Sequence, residues 1–265
     1  MDTPTFNTIS ICSGYAGIEL GLREVIPTRT VCYVEIEVSA ATILAKRMEE
    51  GYLDKAPIWT NLKTFDPKPW RGKVDILTGG FPCQPFSVAG HQRGEDDERN
   101  LWPDTARLIR RLRPPIVFLE NVPGILEYYF SEVRPQLREM GYQVTEGLFS
   151  AIETGAPHKR QRLFILAHTN EQRSQGVRWA RKKESSETIK TIPLYPPGPN
   201  DTEGWAYLLS ILPQAEPTFC RTLNGATPGV DLRLRAIGNG VVPAVAARAF
   251  IVLVQKLEKE SGLSI

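Results

Sequence analysis

Apolar and polar residues fall along this chain in blocks whose period keeps changing. Residues 8–12 (TISIC) form an apolar run of strand length. A glycine-containing turn at 13–17 follows, then helical spacing to about Glu24. Residues 30–34 (TVCYV) read as a second strand and residues 39–49 as a helix with Ser39 at its N-cap. Residues 74–78 (VDILT) and 116–119 (IVFL) are two more short apolar runs. Between them a helix starting near Asp104 is expected to turn Arg107, Arg110 and Arg111 toward solvent or phosphate. A helix from about Glu132 to Met140 stops at Gly141, and residues 142–148 and 163–167 read as paired late strands. Strands alternating with helices predict an α/β fold with a Rossmann-like, doubly wound, mostly parallel sheet covered on both faces.

The rhythm breaks after His168. From Thr169 to about Phe219 the chain is polar, contains the Pro-rich stretch LYPPGPN, and clusters basic residues at Arg178, Arg181, Lys182 and Lys183. Periodicity returns at 241–259, a C-terminal helix that tolerates Pro243 in its first turn. The expected organisation is a main body at 1–168, a small irregular region at 169–219, and a segment at 220–265 that returns to the body.

Composition narrows the function classes. A net charge of +2 on 265 residues does not mark a nucleic-acid binder, so any such contact must come from local patches. The polar start and the lack of an 18-residue apolar run predict no signal peptide and no membrane span. A soluble cytoplasmic protein is therefore expected. Cys12, Cys32, Cys83 and Cys220 show no Cys-x-x-Cys pairing, and the three histidines are widely spaced, so neither a disulfide framework nor a metal site is expected.

Five short stretches carry candidate chemistry. Ser13, Gly14, Tyr15, Ala16 and Gly17 follow the first strand and lead into a helix, which suits close approach to a nucleotide-type cofactor. Glu35, at the end of the second strand, stands where an acid accepts ribose hydroxyls. A tight turn beside a surface carboxylate is the plainer reading of the pair. Cys83, in GGFPCQPFS after the VDILT strand, lies at the carboxyl end of the sheet, where open α/β folds build their crevice, although a lone cysteine is commonly a packing residue. Glu120 ends the IVFL strand toward the same crevice, or simply terminates it. Arg160 and Arg162 alternate and so share one side of the chain, as edge charges or as donors to a base or phosphate.

The ordered set Gly80-Phe81-Pro82-Cys83-Gln84, Glu120-Asn121-Val122, Arg160-x-Arg162 and Gly238-Asn239-Gly240-Val241 resembles the DNA (cytosine-5) methyltransferases over almost the whole chain except 169–219. The resemblance implies the S-adenosylmethionine-dependent methyltransferase fold and that cofactor. It implies that Cys83 attacks carbon 6 of cytosine, Glu120 contacts ring nitrogen 3 and the amine, and Arg162, beside Arg160, holds the carbonyl oxygen. The implied cofactor pocket takes in residues 13–17, Glu35, Ile36, Asn61 and Leu62, then Gly80, Pro82 and Leu101, and is closed by Asn239 and Val241. The family's first motif reads Phe-x-Gly-x-Gly, whereas this chain has Cys12 and Ala16, leaving Tyr15 or Ile36 to replace the aromatic. Asn61 stands for the usual Asp at the adenine amine, and His158 for a Gln.

The resemblance further implies double-stranded DNA as partner, a flipped-out target base, and 169–219 as the target-recognition region. It suggests a monomer, bacterial or phage-encoded, with a cognate restriction endonuclease as a partner. The segment 88–99, with Gly90 and Gly94, is expected to be a loop that closes over the base. A zinc cytosine deaminase does not fit, because His-x-Glu is absent and position 86 is Phe. A non-catalytic relative would have little reason to keep Cys83, Glu120 and Arg162 together. RNA as substrate stays open from the residues alone.

Overall fold

The computed structural model describes residues 5–82, 100–156, 158–169, 201–211 and 240–261. Its first unit is β1 (Phe6–Ile11), α1 (Gly17–Val25) and β2 (Thr28–Val34), followed by α2 (Val38–Glu49) and a two-residue strand β3 (Ile58–Trp59) that the hydrophobic pattern did not reveal. β4 (Ile76–Gly79), α3 (Trp102–Leu112) and β5 (Ile116–Asn121) continue the alternation. The helix expected at 132–140 starts earlier, as α4 (Leu126–Tyr128), a π turn (Tyr129–Val133) and α5 (Arg134–Glu139), and Gly141 ends it at φ +86°. β6 (Gln143–Ser150) and β7 (Gln161–His168) form the late antiparallel pair. Within the stretch read as irregular there is a helix, α6 (Thr202–Ile211), where Asp201 Oδ1 accepts the Gly204 N–H at 2.8 Å. The C-terminal helix is α7 (Pro243–Ser261).

The seven strands lie in the order β3-β2-β1-β4-β5-β7-β6, parallel through β5 and antiparallel at β7 and β6. Alternation along the strands sorts the core into two layers. Ile9, Ile11, Leu77, Val117 and Leu119 pack with α3 and the α4–α5 helix through Trp102, Leu108, Tyr129 and Leu137. Ile76, Ile116, Phe118 and Phe164 pack with α1 and α7 through Leu22, Val245, Phe250 and Leu253. Glu120 and Arg162 have the parity of Phe118 and Phe164. They therefore emerge on the α1 and α7 face, beyond the carboxyl end of the parallel strands.

Two expectations from the sequence do not hold in the structure. Ser39 lies inside α2 rather than capping it. Glu37 precedes the first turn, and its N–H is fixed by Glu35 Oε1 at 2.8 Å, so the helix begins at Val38. Arg107 does not face solvent or phosphate. Half-buried, it donates from Nη2 to the carbonyls of Leu62 and Lys63 at 2.8 and 3.2 Å, in the short turn Leu62–Thr64.

Candidate active site

The turn after β1 is built from alternating backbone hands. Cys12, Gly14 and Ala16 are left-handed, at φ +48°, +54° and +65°, while Ser13 and Tyr15 are not. Such alternation gathers successive N–H groups on one side of the chain, and α1 begins there without a side-chain cap. The Ala16 methyl points away, packed among Tyr33, Leu44, Met48 and Leu53. That burial compensates part of the cost of a left-handed alanine.

Glu35, nearly buried, is fixed by this turn. Its Oε2 accepts the Gly14 N–H at 2.7 Å and its Oε1 accepts the Glu37 N–H at 2.8 Å. Each oxygen retains a second lone pair. A left-handed loop with inward amides beside a pre-set carboxylate acceptor fits the phosphate-free, dihydroxy ribose of an adenosine-type cofactor.

The C-terminal segment closes this cleft from the opposite side. A Cβ on Gly17 would meet the Val241 carbonyl oxygen at 2.1 Å, and one on Gly21 the Pro243 oxygen at 2.3 Å, so glycine at both positions lets the start of α7 lie directly on α1. Tyr15 donates its hydroxyl to the Val241 carbonyl, and its ring fills the space that a side chain at 240 would need. Tyr15 is thereby committed to holding the C-terminal segment, which leaves Ile36, 63% exposed, as the other residue expected to replace the missing aromatic. The Cys12 thiol, pushed up to about 12 by burial and then by Glu35, is an inert packing group. Cys32 is pushed up to about 11 by burial.

Glu120 forms the third wall. It is 6% exposed, and Arg162 Nε stands 2.8 Å from its Oε1, with charges in contact but the N–H directed off the oxygen, so that oxygen has no aligned hydrogen bond. Burial pushes the Glu120 carboxyl up to about 7, against the opposing pull of Arg162 and then Arg160. Gly80 leaves room for this group, since a Cβ there would lie 3.0 Å from Glu120 Oε2. Arg160 donates to the Gly240 carbonyl and so ties the closing segment to β7.

The cleft brings together residues 12–15, Gly17, Gly80, Glu120 and the pair Gly240 and Val241. Other expected residues lie around it. Asn61 accepts the Lys63 N–H at 2.9 Å through the carbonyl oxygen proposed for adenine, which keeps one lone pair. Leu62 is buried in the core, Leu101 is half-buried against it, and Pro82 is exposed. Cys83, Asn239 and segment 88–99 lie outside the described residues, as do Cys220 and the basic cluster at 178–183.

Two contributors, Asn121 and Gly240, stood in the motifs without a role of their own, and a third, Glu19, was not singled out in the sequence. Asn121 donates Nδ2 to the Phe81 carbonyl at 2.9 Å, anchoring the backbone two residues before Cys83 to β5. Gly240 accepts from Arg160. Glu19 stands buried in the cleft wall. Glu19 could have been noticed as the one charged side chain on the apolar face of α1, adjacent to Ile18 and Leu22.

Comparison with known proteins agrees with this geometry. The profile of the C-5 cytosine-specific DNA methylases matches residues 6–220, including 169–219 but stopping short of Gly238–Val241. The type II methyltransferase M.NgoMIV of Neisseria gonorrhoeae is 34% identical over 191 residues, 71% of this chain and 58% of that protein. Among solved structures, Entamoeba histolytica methyltransferase EhMeth superposes with a TM-score of 0.60 at 17% identity, over 96% of this chain and 99% of that one. A Spodoptera frugiperda DNMT2 mutant superposes at 0.51 and 22% identity, over 68% and 54% of the two chains. At these identities the structural likeness speaks for the fold. The chain spans less than two thirds of the length of the first curated relatives it matches. With four-fifths of its residues inside the family profile, the chain belongs to the C-5 cytosine-specific DNA methylase family.

Proposed function

We propose that this protein transfers the methyl group of S-adenosylmethionine to carbon 5 of a flipped-out cytosine in a short duplex DNA sequence, through a covalent adduct with Cys83. The observation that carries this reading is the placement of Glu120, a buried acid poised near neutrality and flanked by two guanidiniums, in one cleft with the left-handed turn after β1. Bound at that turn, S-adenosylmethionine supplies an electrophilic methyl group. Glu35 orients it through the ribose, and the closing segment at 240–241 excludes water.

Cytosine carbon 5 is a weak nucleophile until a thiolate adds at carbon 6. Glu120, holding a proton at neutral pH, donates to ring nitrogen 3 and accepts from the exocyclic amine, which supports the charge that develops on addition. Arg162 donates to the carbonyl oxygen while steadying Glu120. Loss of the carbon 5 proton and expulsion of Cys83 restore the ring. The base reaches this crevice only by leaving the duplex stack.

Residues 169–219, with α6 inside them, serve as the target-recognition region between a catalytic body at 1–168 and a returning segment at 220–265. The type II designation of the Neisseria relative supports a role beside a cognate restriction endonuclease; a monomer acting in the cytoplasm is part of the same proposal. The test is tritium transfer from labelled S-adenosylmethionine to duplex DNA and RNA in parallel, with bisulfite sequencing of DNA from expressing cells. Labelling of 5-methylcytosine at one short motif in duplex DNA supports the reading. Transfer to RNA alone would overturn it.

A further inference from the structure

Glu19 has no part in the scheme above. It lies in the first turn of α1, 4% exposed, on the wall of the cleft that also holds the β1 turn, Gly80 and Glu120. The Thr78 hydroxyl on β4 donates to its Oε1. Ser10 on β1, in register with Thr78 and 1% exposed, stands in the same wall with its Oγ lacking an aligned hydrogen bond.

The ionisable groups around Glu19 leave it short of a cation. Arg23, one turn further along α1, is engaged 2.7 Å from Asp54. Tyr33 approaches from β2, Glu120 from β5 and Cys12 from the turn, with Glu35 behind Cys12 at the end of β2. Burial raises the Glu19 carboxyl above its ordinary value, and the Thr78 hydroxyl, its own backbone, the nearby Ser10 hydroxyl and the charge of Arg23 oppose that only in part. An acid in a low-dielectric wall gives up its proton readily only when a cation arrives.

Resting on the proposed use of S-adenosylmethionine, we infer that Glu19 is the acidic wall of the donor pocket, releasing a proton to solvent when the sulfonium and ammonium groups enter and so distinguishing the donor from its demethylated product. The donor carries a net positive charge and S-adenosylhomocysteine carries none. The carboxylate left behind attracts the first more than the second. No covalent bond changes, and the proton passes from the Glu19 carboxyl to buffer. The consequence is selective hold on the donor and easier loss of the product after each turnover.

The test is calorimetric titration of the full chain in two buffers of different ionisation enthalpy near neutral pH. S-adenosylmethionine binding should release protons and S-adenosylhomocysteine clearly fewer. Glu19→Gln, which keeps the shape and can still accept from Thr78, should abolish the difference. It should weaken the donor about ten-fold and the product less than about two-fold. Glu120→Gln should retain the release, which separates the two acids. Equal proton release for donor and product, equal loss of both affinities in Glu19→Gln, or a release that disappears with Glu120→Gln instead would overturn the inference. If Glu19→Gln does not fold, the wild-type comparison of donor with product decides alone. Absence of any donor binding to the wild type would overturn the proposed function together with this inference.

Discussion

Two buried carboxylates stand at the carboxyl end of the sheet, and they are held in different ways. Glu35 is gripped by backbone N–H groups of Gly14 and Glu37, donors whose positions follow from the path of the chain. Glu120 meets guanidinium charge, and burial outweighs that charge enough to push it up to about 7. Backbone donors make a fixed acceptor, suited to orienting a cofactor. A carboxyl balanced between burial and arginine becomes an acid that can hold or yield a proton in the working range. Nearly equal burial thus produces a binding group in one place and a titrating group in the other, according to the donors.

Breaking the Glu120 side should have the largest effect. Glu120→Gln is expected to lower kcat by about 10²-fold or more while leaving cofactor affinity nearly unchanged, as for loss of a general acid. In the wild type, kcat/KM should fall as pH rises through about 7, where Glu120 loses its proton. That limb should be absent from the residual activity of the variant, and rates measured from pH 5.5 to 9 decide this.

Arg162→Ala removes the contact partner and leaves a buried carboxylate. Denaturant melts should show a loss of about 3 kcal/mol at pH 8, and far less at pH 5, where the proton on Glu120 cancels the charge. The stability of the wild type has its own sign. A carboxyl whose folded value lies above its unfolded one binds more protons when folded, so its full contribution is present below about 4.5 and is lost as pH rises to about 7. The loss through Glu120 is roughly 3 kcal/mol, and Glu120→Gln should flatten the pH profile of stability by about that amount. Glu19 contributes a slope of the same sign, which that substitution leaves in place.

The Glu35 side should respond in binding. Glu35→Ala removes the acceptor and frees two N–H groups. Calorimetry should show the cofactor weakened by about 1–3 kcal/mol with the fold retained. Unchanged affinity would place the ribose elsewhere. Smallest of all, Ala16→Gly exchanges a left-handed alanine for glycine at the cost of a buried methyl, and the melting temperature should move by only a degree or two, the opposing terms each being about 1 kcal/mol.

What could be read beforehand followed from period and order. Six of the seven strands could be located, five as apolar runs because strands buried on both faces are continuous in sequence and β6 as the partner of β7, and the motif order pointed to Glu120 and Arg162 as neighbours. β3, two residues long, leaves no period to detect. Nor could spacing reveal that Tyr15 and Arg160 are both spent on carbonyls of the closing segment, since those contacts join residues some 226 and 80 positions apart. The left-handed geometry at Cys12 and Ala16 was equally hidden, as neither residue type favours it. Arg107 was misplaced for a related reason. Its partners are backbone carbonyls 44 and 45 positions away, which carry no sequence signature.

A covalent bond from Cys83 to the target base is tested most directly with a duplex carrying 5-fluorocytosine at the confirmed methylation site. After addition at carbon 6 and methyl transfer, fluorine cannot leave carbon 5 as a proton does, so elimination stops with protein and DNA joined. Denaturing electrophoresis should show an adduct that requires both the duplex and S-adenosylmethionine. It should vanish in Cys83→Ala and persist in Cys12→Ala, Cys32→Ala and Cys220→Ala. Efficient methylation of the normal site, with no Cys83-dependent, denaturation-resistant complex on the fluorinated one, would contradict the account.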